Sequence, residues 1–174
     1  SVYYSELGTA SESLTSISIQ LNEAPLPGQF VVTPTTGGIA LDTTFALSAE
    51  GYTDDVEDYP LYYTMHYYIL SREKSVLIKD RNEVSSTSAY LGQGLQSSNY
   101  DVTCLLKVSD TPGSSIITET IVEVLPVSDP SVLLNTMENV LQESSDSGNA
   151  ELGSSTIDIV ANSVNFADCS ELSS

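Results

Sequence analysis

From Leu14 to Leu125 apolar and polar residues alternate with a period of two, the pattern of strands with one buried face. Ile17, Ile19 and Leu21 alternate with Ser16, Ser18 and Gln20, and the turn-rich segment 22–28 follows with Pro25, Pro27 and Gly28. Further strands are predicted at 30–34, 43–50, 61–70, 75–79, 84–90, 100–109 and 116–125. Gly or Pro punctuates the gaps, at Gly37-Gly38, Gly92-Gln93-Gly94 and Pro112-Gly113, while Asp54-Asp55 marks a further turn. About eight short strands at this spacing predict an antiparallel β-sandwich of the immunoglobulin or fibronectin-III type.

The segment 100–109 carries the clearest alternation. Tyr100, Val102, Cys104, Leu106 and Val108 share one face, with Asp101, Thr103 and Lys107 on the other, which places Cys104 in the core. Tyr100, at the head of such a strand, is similar to the corner tyrosine of immunoglobulin-like sandwiches.

After Leu125 the period lengthens to about 3.6 residues. Asp129 and Pro130 supply an N-cap and a first-turn proline, and Val132, Leu133, Met137, Val140 and Leu141 form one apolar stripe. The segment 144–149 ends that helix. Ser155 and Asp158 then open a second, with Ile157, Val160, Ala161 and Val164 on one side. The expected organisation is a flexible segment at 1–13, a lead-in or donated strand at 14–21, a sandwich at 22–127 and a helical tail, a pair of short helices, at 128–174.

Composition narrows the partners. Twenty-four acidic residues face five basic ones in 174, for a net charge of -19. Nucleic acid and anionic membrane surfaces both need clustered Lys and Arg, so neither is an expected partner. No apolar run is long enough to span a bilayer, and the first residues lack the basic start and apolar stretch of a signal peptide, so the chain reads as a mature product or an excised piece. Cys104 and Cys169 stand in no metal or redox spacing. With no Asn-x-Ser/Thr sequon but 28 Ser and 16 Thr, the sugars to expect on an exposed fibre are O-linked. All five cations (Arg72, Lys74, Lys79, Arg81, Lys107) lie between 72 and 107, and 108–174 has eleven acids and no base.

Several spacings in the first half are diagnostic: Asn22-x-x-Pro25, Val32-x-Pro34, Gly38-x-Ala40-Leu41-x-Thr43-x-Phe45-x-Leu47, Gly51-Tyr52-x-Asp54 and Pro60-Leu61-x-Tyr63. Together with the later Tyr100-x-Val102 strand that closes at Asp110 and the helical tail, they resemble the receptor-for-egg-jelly (REJ) module of the polycystin family and of large protist surface proteins. The resemblance covers about 22–165. It implies a non-enzymatic, extracellular or cell-surface module of structural or adhesive character. Its partners would be proteins, either other copies of this chain or neighbouring modules.

The chain departs from the family pattern where the family has a cysteine pair: those positions hold Phe30 and Ala49, and the family tryptophan is replaced by Tyr52. A large and a small residue fill the space of the missing bridge in an exchange that keeps volume.

Two constellations bear on chemistry. Asp54, Asp55, Glu57 and Asp58 form the densest acidic cluster, and carboxylates on one loop suit Ca²⁺, although the spacing matches no calcium loop; a calcium-dependent ligand-binding module is the alternative function. His66, the only histidine, shares a strand face with Tyr62, Thr64 and Tyr68; with no nucleophile motif it reads as structural, and no catalytic residue is expected. The tyrosines serve the core or an interface, and Tyr62 and Tyr68 join Ile17, Ile19 and Leu21 as interface candidates. If the 14–21 strand pairs with a neighbouring copy, head-to-tail polymers result.

Overall fold

A computed structural model describes residues 21–127, together with Asn135, Glu138, Asn139, Gln142, Ser145, Asp146 and Ile157. Its strands are β1 (Gln29–Thr33), β2 (Gly38–Ile39), β3 (Phe45–Glu50), β4 (Tyr62–Tyr68), β5 (Val76–Asn82), β6 (Ser86–Ala89), β7 (Asp101–Ser109) and β8 (Ser115–Leu125). They form two sheets, one ordered β1-β3-β6 and the other β2-β8-β7-β4-β5. All pairings between them are antiparallel except that of β2 with β8.

The apolar faces meet between the sheets. Phe30, Val32, Phe45 and Leu47 come from the smaller sheet, and Met65, Tyr67, Val102, Cys104, Leu106, Val108, Val122 and Val124 from the larger. Seven predicted strands correspond to β1 and to β3–β8, with shifted ends that have local causes. β3 starts at Phe45 because Thr43 closes a turn: its N–H donates to the Ile39 carbonyl (2.9 Å) and its Oγ1 accepts from the Ile39 N–H (2.9 Å). β7 starts at Asp101 because Tyr100 has φ 61°, a left-handed backbone that cannot continue a strand. β2 lies hidden within what reads as a turn. Gly38 is needed there, since a Cβ on it would stand 2.2 Å from Cζ of Phe45.

Where the five-stranded sheet carries register shifts between β4 and β5, Lys79 falls opposite Met65 and is buried. Its Nζ donates to the carbonyls of Val84 and Ser86, which ties the β5–β6 connection to the sheet, and burial lowers its pKa. The predicted strand at 84–90 is correspondingly shorter. The predicted 14–21 strand and the helical pair at 128–174 fall outside the described residues, save for Leu21 and isolated positions that delimit no helix.

Candidate functional site

The loops at one end of the sandwich gather the acidic cluster, the β7–β8 turn and the segment that leads into β1. Asp55 precedes a short 3-10 turn, Val56–Asp58, closed by the Asp58 N–H donating to the Asp55 carbonyl (3.0 Å). Asp54 Oδ1 accepts from the Asp55 N–H (2.9 Å), and the Asp54 N–H donates to the Tyr59 hydroxyl (3.1 Å). Its other oxygen, Oδ2, is buried with no hydrogen-bond donor among the described residues. The Asp58 carbonyl accepts from the Thr111 N–H (3.0 Å), which joins this loop to the β7–β8 turn. Partial desolvation, reinforced by Asp54, Asp110, Asp55 and Glu57, holds the Asp58 carboxyl above its ordinary pKa.

Asp110 is the anchor of this pole, and it is fully buried. Its carboxylate accepts from Asn22 Nδ2 (2.7 Å) and from the Gly113 N–H (2.6 Å), and its own N–H donates to the Ser114 carbonyl (3.1 Å). Asn22, whose carbonyl also accepts from Ser114 Oγ (3.5 Å), is thereby fixed beside the start of β8. A cleft of about 430 Å³ opens between Leu21, Asn22, Asp55, Glu57, Asp58 and Pro112. Asp54, Asp55, Glu57 and Asp58 therefore share one loop, but among the described residues no three of His, Cys, Asp and Glu are disposed to hold a metal ion.

The remaining candidates lie elsewhere. Leu21 is 85% exposed, and Ile17 and Ile19 are outside the described residues. The Arg81 guanidinium stacks on the Tyr62 ring, 3.6 Å from its centroid, a cation–π contact that also places Arg81 near the Asp110 carbonyl. Tyr68 donates to Glu119 (3.0 Å), and Arg72 pairs with the same carboxylate (2.6 Å). Exposed as it is, that ion pair is screened by solvent and contributes little to stability. His66 is half-buried on the same outer face of the sheet, its Nδ1 has no hydrogen-bond partner among the described residues, and burial lowers its pKa.

Phe30 and Ala49 are direct cross-strand partners of β1 and β3, both facing the core. Tyr52 is buried and its hydroxyl donates to Thr118 Oγ1 (2.8 Å), a bond that ties the end of β3 to β8. Tyr100 acts through its backbone: its N–H donates to Leu95 (2.8 Å) and its carbonyl accepts from Val124 (2.9 Å). Cys104 is a free, buried thiol, pushed by desolvation up to about 12.

Sequence reasoning missed Asp110 and Lys79 as buried anchors. The one signal available for Asp110 was its place at the end of an alternating strand, immediately before a Pro-Gly turn. Comparison with known proteins gives a match of the REJ domain model to residues 1–165. No curated protein matches the chain.

Proposed function

We infer the role of this chain from one premise: it belongs to the REJ domain family, whose members are typically extracellular, non-catalytic parts of polycystin-type proteins. On that premise the chain is a structural or adhesive module of a cell surface or surface fibre, and it works by contact with other proteins. The family match, which spans nearly the whole chain, carries the reading.

An antibody raised against the folded protein is expected to label intact, unpermeabilised cells of the source organism. Labelling that appears only after permeabilisation would discard the surface role. Self-assembly head to tail through residues 14–21 is a narrower form of this reading: deleting residues 1–21 should abolish it, and polymers that persist after the deletion refute it.

The calcium-dependent alternative has one observation in its favour, the buried Asp54 Oδ2, which has no donor among the described residues. If a divalent ion completes that loop, millimolar Ca²⁺ raises the melting temperature and a chelator reverses the rise. An unchanged melt removes this alternative.

A further inference from the structure

The outer face of the five-stranded sheet departs from the acidic character of the chain. The sequence has 24 acids against five bases, yet three of the five cations meet on this face. Lys107 is exposed between Thr64 of β4 and Ile117 of β8, Arg72 reaches across to Glu119 of β8, and Arg81 lies on the Tyr62 ring. Glu119 stands in the middle of the face, but Arg72 and Tyr68 already hold its carboxylate. Asp80 on the edge strand β5 and Asp101 at the start of β7 lie at the margins. Lys107 therefore stays uncompensated: among the described residues no carboxylate pairs with its ammonium. Apolar side chains are interleaved with these cations, Leu77 exposed at 40%, Ile117 at 45% and Ile121 at 59%. Exposed apolar side chains rimmed by polar ones mark a surface for protein contact.

The acidic loop has the complementary character. Asp54, Asp55, Glu57 and Asp58 flank Val56, which at 90% is the most exposed large apolar residue among those described. Desolvation and the surrounding acids raise the Asp58 pKa, and no cation among the described residues offsets them. We propose that this loop of one copy docks on the outer face of the larger sheet of a second copy, with Val56 against the exposed isoleucines and the carboxylates facing Lys107 and Arg81. Charge selects the occupant. A chain of net charge -19 repels its like except where its few cations are gathered, and the loop offers the densest run of carboxylates in the sequence. Loop and face are different patches, so each copy offers one of each, and copies add in series or close into a ring. This contact presupposes a module that works by binding other proteins, and it uses no residue of 14–21.

Sedimentation velocity of the full chain over a concentration series tests the contact. The unmodified chain is expected to associate as its concentration rises. Lys107→Glu and Asp55→Lys/Glu57→Lys change exposed side chains, and each should weaken association about tenfold or more. The loop variant is decisive: it makes the chain less acidic and relieves general repulsion, yet it should still associate more weakly than the unmodified chain. Mixing the two variants should restore association, since the native loop of one meets the native face of the other. A chain that stays monomeric at every concentration overturns the proposal. So does association that the loop variant leaves unchanged or strengthens, or a mixture that binds no better than its parts. Those failures leave the surface role standing, which labelling of intact cells tests by itself.

Discussion

Replacing Phe30 and Ala49 together by cysteine is expected to give a disulfide that forms in air and makes the oxidised protein about 3 kcal/mol more stable than its reduced form, the value for closing a loop of about 20 residues. The geometry is already in place. The Ala49 N–H donates to Ser85, toward β6, and the Phe30 carbonyl accepts from Thr120 Oγ1, away from β3, so the two residues form a non-hydrogen-bonded cross-strand pair. Such pairs bring Cα atoms to about 4.5 Å, within the range a disulfide spans. Comparison within one variant cancels the loss of the Phe30 ring. A rise in melting temperature of roughly 10 °C on oxidation is the expected reading for a domain of this size. Thiols at positions 30 and 49 found unbridged by peptide mapping, separately from Cys104 and Cys169, would show the register to be wrong. The cross-strand pairing of Phe30 with Ala49 thus coincides with the two positions at which the resemblance implies a cysteine pair.

Asp110→Ala is expected to destabilise the protein by about 3 kcal/mol, seen as a lower urea midpoint at unchanged slope. The substitution removes two part-buried bonds to a charged acceptor, those from the Asn22 side-chain amide and the Gly113 N–H, and leaves the space of a buried carboxylate empty. Asp110→Asn keeps the shape and one acceptor oxygen and should lose clearly less. Equal losses for the two variants would mean that packing, not the carboxylate, holds the turn. Because Asn22 hangs on this side chain, Asp110→Ala should also loosen the segment from Asn22 to Gly28 before the rest of the sandwich, which hydrogen exchange can follow.

The strands were legible because most of them bury one face, and a period of two survives in residues such as Val102, Cys104, Leu106 and Val108. What the alternation cannot carry is which residues lie opposite one another. Phe30 and Ala49 are 19 positions apart, and only the shared register of β1 and β3 joins them. β2 escaped because two residues offer no period, and its pairing is set by β8. Lys79 and Asp110 read as surface charges, since polarity in a sequence signals exposure unless a partner is known. Their partners, the carbonyls of Val84 and Ser86 for one and Asn22 for the other, are supplied by a register irregularity and by a segment 88 residues distant. The acidic loop was visible as a cluster, while its attachment to the β7–β8 turn through Thr111 was not.

Cys104 gives the sandwich a built-in reporter. Buried between the sheets, with its thiol held near 12, it is withheld from oxidants and alkylating reagents while the sheets stay together. Modification at that residue, resolved from Cys169 by peptide mapping, therefore counts separations of the two sheets. Performed while the ends are pulled, the same chemistry distinguishes a module that opens under tension from one that stays shut.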